Sequence, residues 1–318
     1  MAQFDSMLAF VKAGGTYGAT PTFAASDALI CSAIEITPLE GDLLDRPQAD
    51  GESGPVASSV MARKRSSATL TFELAGSGVA GTRPKWAALA EACGGTWADV
   101  ATVSNTLTEA SLNSPLGFAD LRVLMAGRDY RSHGSRGNMV ITLASGELPT
   151  AQATMLGLYT TPVTQAMISP TYSNQARSVV VDAANTPTVQ IGPTGSPISR
   201  CISNFSLDFG CNVVYFNDPG GGSAEVLITS RRPTASITYR ETTLEEFNVF
   251  NFSASENPPI HEFKIVHGPA GARQTITIPK LTYGQPSHSS RDGILHTTVD
   301  MILQRPPGNP SFFSWKQD

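Results

Sequence analysis

Five histidines and four cysteines are the side chains with which this chain would carry out acid–base, nucleophilic or metal chemistry. The histidines are His133, His261, His267, His288 and His296. His261-Glu262 has no second histidine four residues on, so the zinc-binding helix pattern is missing. Cys31, Cys93, Cys201 and Cys211 are widely spaced, without a Cys-x-x-Cys pair, and read as small buried apolar side chains. No Gly-x-Ser-x-Gly elbow is present to expose a serine nucleophile. Gly220-Gly221-Gly222-Ser223 lacks the lysine and the following helix of a phosphate cradle, and reads as a loop. The Asn-Phe-Ser sequons at Asn204 and Asn251 stand in apolar contexts that predict burial. No catalytic, cofactor-binding or metal residue is assigned, and no enzyme is expected.

Charge is more informative than nucleophiles. Only 15% of the 318 residues are charged and the net charge is −5; an ordinary soluble domain carries roughly 25% charged residues. A surface this poor in charge predicts extensive contact with protein, and an acidic chain argues against a DNA-gripping face. The acids cluster. Glu35, Glu40, Asp42, Asp45, Asp50 and Glu52 are accompanied by a single base, Arg46. They read either as a solvated hairpin loop or as a surface that faces polyanionic DNA and must not hold it, because acid repels phosphate. Arg63, Lys64 and Arg65, with Arg231 and Arg232 later in the chain, are candidate intersubunit bases.

The elements that must position these residues are mostly strands. Ala68, Leu70, Phe72 and Leu74 alternate with Ser67, Thr69, Thr71 and Glu73, so one apolar and one polar face are expected. The polar set faces solvent on an outer sheet or, were the strands to close into a barrel, lines its lumen. Further strands are predicted at Leu121–Ala126, Asn138–Leu143, Ala151–Tyr159, Ser203–Phe209, Glu262–His267, Gln274–Ile278 and Ile294–Leu303. Helices are predicted at Pro84–Cys93, which opens on proline and stops at Gly94-Gly95, and at Thr242–Phe250. No apolar run is long enough to span a membrane, and the N-terminal residues lack the pattern of a signal peptide.

The order of features is run twice: strand, long loop, basic cluster, strand, helix, strand, glycine turn, strand, Gly-to-Pro turn and strand. This predicts a mainly β chain built by duplication, with a first domain at residues 1–160, a linker or exchanged arm at 161–198, and a second domain at 199–318.

Several segments resemble the major tail tube protein of phages with long non-contractile tails. They include Thr16-Tyr17-Gly18 to Pro21, Ala28–Pro38, and Gly76-Ser77-Gly78 through Trp86 and Leu89 to Ala92-Cys93-Gly94. Gly134–Gly137, Gly146-Glu147 with Pro149, Leu156–Tyr159, Ile202–Asn212, Gly271–Pro279 and Asp292-Gly293-Ile294 complete the resemblance. It implies two tandem tail-tube-type β-sandwich domains, each with one flanking helix, lending strands to an intersubunit β-barrel. It further implies trimeric, pseudo-hexameric rings stacked into a virion tube assembled in the bacterial cytoplasm. Genomic DNA would pass through without tight binding; the implied partners are the chain itself, a tape measure protein, a tail terminator and a distal tail protein, with no cofactor and no membrane. A barrel of about 24 strands at roughly 4.8 Å spacing and about 40° tilt would be on the order of 45–50 Å across. The alternatives are another β-rich virion component, a terminator or capsid decoration, and a carbohydrate- or receptor-binding sandwich.

Overall fold

A computed structural model describes residues 7–46, 58–111, 116–219, 224–306, 308 and 311–318. The first half runs β1 (Met7–Ala13), β2 (Ala28–Leu29), β3 (Ala33–Arg46), β4 (Ser58–Glu73), α1 (Ala87–Ala92), β5 (Gly95–Val100), β6 (Ser104–Glu109), β7 (Ala119–Met125), β8 (Arg128–Ala144) and β9 (Thr150–Tyr159). Next come β10 (Val163–Thr164), β11 (Thr188–Pro193) and β12 (Ile198–Ser199). The second half contains β13 (Ile202–Asp208), β14 (Cys211–Phe216), β15 (Glu225–Arg231), β16 (Thr234–Arg240), α2 (Val249–Ala254), β17 (His261–His267), β18 (Gln274–Tyr283), β19 (Ser287–Arg291), β20 (Ile294–Leu303) and β21 (Ser314–Gln317). The chain is mainly β, its paired strands antiparallel, as the alternating pattern predicted.

The same order of strands occurs twice. In the first half β3 pairs with β4, β4 with β9, β9 with β8, β8 with β7 and β7 with β1. In the second β13 pairs with β16, β16 with β20, β20 with β18, β18 with β17 and β17 with β11. The short β2 and β12 pair with β1 and β11 in turn. The two sets are joined by a direct ladder between β8 and β13, from Val140↔Asp208 to Ala144↔Asn204. The C-terminal β21 stitches them again, pairing with β18 on one side and β6 on the other.

Register explains why this long sheet has one wet and one dry face. Phe72, Ala151, Ile141, Leu207, Ala235 and Met301 lie opposite one another in successive strands, and every one of them is buried. One residue along, Glu73, Thr150, Thr142, Ser206, Ser236 and Asp300 form the neighbouring row, and none is buried. Side chains alternate with a period of two, so a slip of one residue at the β8–β13 junction would bury the polar row. The core is continuous across the halves, with Trp86 stacked on Trp315 at 4.6 Å between ring centroids and tilted against Trp97 at 5.8 Å.

Several expectations need correction. The second helix is not Thr242–Phe250 but Val249–Ala254. Asn248 caps it, its side chain accepting from the Asn251 N–H at 2.9 Å, while Phe247 before the cap packs on Phe252 at 5.4 Å as a hydrophobic staple. The Leu244–Phe247 spacing suggested one helical face; Leu244 instead lies in the preceding turn and is exposed. Cys201 is exposed and Cys31 and Cys211 are only partly covered, so burial holds for Cys93 alone. Asn251 is exposed and Asn204 half-buried, against the burial predicted for both sequons. Within 161–198, Val181 exchanges backbone bonds with Gly146 and Glu147, and β11 pairs with β17.

Candidate assembly surfaces

Most of the candidate charges sit on the β3–β4 hairpin, whose two strands run past the rest of the sheet. Its lower part, Ala33–Thr37 against Ser67–Thr71, is flat and paired with β9 through β4. Above it the register shifts twice around Glu40. Glu40 explains the bend, because it accepts from Arg65 at 3.3 Å and from the Ser67 hydroxyl. Asp42 and Arg63 form a wider, exposed pair at 3.9 Å, and Arg63 adopts a positive φ of 50°. Asp45 and Lys64 are exposed, as are the apolar Leu43 (65%), Leu44 (56%) and Val60 (40%). Asp50 and Glu52 lie outside the described residues.

Glu35 belongs to the lower part of the hairpin, apart from the other acids. It stands on the polar face opposite Thr69, beside Ser67 and Thr71. Ser67, Thr69 and Thr71 are half-buried and Glu73 is exposed, the latter accepting from the Ser178 hydroxyl at 2.6 Å. The polar face continues through the β8–β13 junction, where Asn138 donates to Asp208 at 2.7 Å, and on to Thr238 and Thr298, whose hydroxyls are 2.9 Å apart. It is a broad sheet of hydroxyls and amides with scattered charge, and nothing in it resembles a reaction centre. Among the described residues no group of acids, histidines and cysteines is arranged to hold a metal. His133 is buried 3.8 Å from Asp120, and burial lowers its pKa. Partial burial likewise pushes the Cys31 and Cys211 thiols up to about 12.

The second half has a corresponding hairpin, and it is docked. After Asp208 the chain turns at Gly210, whose φ of +60° and lack of a side chain allow close approach to the Arg232 carbonyl. The β14–β15 ribbon then folds onto the first half. The Arg231 guanidinium donates to the carbonyls of Gly94 and Ala110, just past the end of α1. Val226 donates its N–H to the Tyr17 hydroxyl at 2.7 Å, and Cys211 donates its N–H to Asn138 at 2.9 Å. Arg231, expected at an intersubunit contact, is thus engaged within the chain; Arg232 contributes a backbone bond to Gly210 at 3.0 Å.

Several strands have an unpartnered side among the described residues, β5, β14 and β15 included; two such edges bound the run of strands from β3 to β19. One is the outer side of β3, with Ala33, Glu35 and Thr37 exposed; the other is the outer side of β19, where Ser287–Arg291 are all exposed. Sequence reasoning missed the second edge, because Ser287-His288-Ser289-Ser290-Arg291 has no apolar alternation. The signal that would have found it is positional: it stands before the turn into β20, where β8 stands before the turn into β9.

Among curated proteins, none matches the sequence. The family model for phage tail tube proteins matches residues 8–290, from β1 into β19 and short of β20 and β21, and the chain belongs to the phage tail tube protein family.

Proposed function

We propose that this chain is the major subunit of a non-contractile tail tube, that its two halves are duplicated tail-tube domains, and that three copies close into a pseudo-hexameric ring. The β8–β13 junction carries the reading. If the halves are equivalent, an edge that pairs inside the chain has a counterpart that must pair between chains. Aligning the halves by their registers places Ala33–Thr37 where Asn204–Asp208 lies, and Ser287–Arg291 where Val140–Ala144 lies. The counterpart of the internal ladder is then β19 of one copy against β3 of the next, with Ser287 opposite Thr37, Ser289 opposite Glu35 and Arg291 opposite Ala33. Both strands have an unpartnered side among the described residues. In that register Arg291 lies diagonal to Glu35, an opposite-charge neighbour. Closure removes both edges, which would otherwise invite aggregation.

Three chains in this arrangement give a barrel of about 24 strands. The polar rows line its inside, and the apolar rows stay in the wall. Glu35, Ser67, Thr69, Thr71 and Glu73 then face the lumen, with Asp208 and Asp300 from the second half. DNA would meet hydroxyls and a slight excess of acid, which orders no phosphate and releases no counterion. The mechanism is passive conduction, and stacking of rings makes the tube.

The register is testable by disulfide trapping. In a Cys201→Ser background, Glu35→Cys with Ser289→Cys should cross-link assembled protein into dimers and trimers, the series ending at a closed trimer. Assembled particles with no cross-link at this pair, but with cross-links in a shifted register, would overturn the proposed junction.

A further inference from the structure

The docked hairpin of the second half and the projecting hairpin of the first pose one question: what covers the projecting one? We infer that the upper β3–β4 hairpin docks on α2 of the neighbouring copy, Lys64 taking the place that Arg231 holds inside the chain. The inference rests on the ring proposed above and adds a contact that the barrel itself does not require.

Three observations carry it. First, position: Arg231 precedes Thr234 by three residues and Lys64 precedes Ser67 by three, and Ser67 opposite Thr37 takes the place of Thr234 opposite Asp208 when the ladders are aligned, although the β3–β4 ladder runs on past this pair. Arg231 binds the carbonyls of Gly94 and Ala110, beyond the last turn of α1. The corresponding place beyond α2 is Ser255-Glu256, and both residues are exposed. Second, charge: Arg63 and Arg65 are paired with Asp42 and Glu40, which leaves the exposed Lys64 without an ion pair among the described residues, whereas residues 241–256 contain Glu241, Glu245, Glu246 and Glu256 and no base, Glu246 alone facing Arg200 at 3.4 Å. Carbonyls at a helix C-terminus add to the attraction for a cation. Third, apolar surface: Leu43, Leu44 and Val60 are exposed on the hairpin, and Leu244 (53%) and Ile260 (44%) are exposed on either side of α2. Inside the chain the docked ribbon buries Val226 (0%) and Ile228 (7%) on β15, while Phe216 on β14 stays exposed. The partner is therefore a second copy of this chain, and the contact is lateral, within a ring.

Carbodiimide cross-linking of assembled protein, read by mass spectrometry on a mixture of isotopically light and heavy chains, tests this. The expected product is an intersubunit link from Lys64 to Glu256 or Glu245, absent from monomer. Lys64→Glu should reduce assembly at least several-fold, and Lys64→Glu combined with Glu256→Lys should restore it. Leu43→Asp with Leu44→Asp, which changes only exposed side chains, should leave the monomer folded and impair ring closure. The disulfide trapped in the Glu35→Cys, Ser289→Cys double variant separates the two claims. If that disulfide forms while Lys64 links elsewhere and Lys64→Glu assembles normally, the hairpin contact is wrong and the ring stands; if the disulfide fails in assembled protein, the ring reading itself has failed.

Discussion

Individual residues divide sharply into those that hold the fold and those that are free for assembly. Arg231 is of the first kind. Its charged hydrogen bonds fasten the β14–β15 ribbon, so Arg231→Ala should cost about 2 kcal/mol in a urea titration. Lys64, its positional counterpart, is exposed, and Lys64→Ala should leave monomer stability unchanged. Histidine burial gives a pH dependence with a defined sign. Burial lowers the pKa values of His133, His261 and His267. Below about pH 6.5 the unfolded chain binds protons on these rings that the folded chain does not, so their contribution to stability is full above that pH and is lost on acidification. His133 makes no hydrogen bond through either ring nitrogen. His133→Leu should therefore flatten the dependence of melting temperature on pH between about 7.5 and 5.5; an unchanged slope would show that His133 titrates normally. The sequence displayed these residues but not their surroundings. Arg63–Arg65 and Arg231-Arg232 look alike as basic clusters, and only the distant Gly94 and Ala110 carbonyls distinguish Arg231.

At the level of elements, the legible parts were those whose side-chain pattern is set by a single core. The polar and apolar faces of β4, the helix stopping before Gly94, and strands such as Thr150–Tyr159 could be read directly, because period and burial agree there. What escaped were elements defined by their neighbours. β19 is exposed along its whole length and has no pattern to read. β11 lies within a stretch rich in proline and glycine that read as a linker, and β5, β6 and β21 form a ladder that crosses between the halves. The shift of α2 came from overlooking a cap: Asn248 with flanking Phe247 and Phe252 is a stronger start signal than Leu244 and Phe247 spaced three apart. The edge role of β19 yields a prediction in which geometry supplies its own control. Successive N–H groups of a strand point to opposite sides, so of Ser289 and Ser290 one donates toward β20 and the other toward the open edge. Ser289→Pro and Ser290→Pro, made separately, should include one variant that stays folded by circular dichroism yet fails to form rings. If both variants assemble, β19 is not a joining edge.

For the whole molecule, the low charge content now has a location as well as a reason. The eight strands from β3 to β19 along the sheet present polar but largely uncharged residues on one side and a shared core on the other. A lumen of this kind should not retain DNA: fluorescence anisotropy with a labelled duplex should show no binding to assembled tubes even at low salt. Salt-sensitive binding would mean that a basic surface lines the channel instead. Cryo-electron microscopy of the assembled protein tests the ring most directly. The expected result is rings of three chains with pseudo-sixfold symmetry, closed by β19 against β3 into an inner barrel on the order of 45–50 Å across. Rings of six chains, or particles in which β3 and β19 remain unpaired, would contradict it.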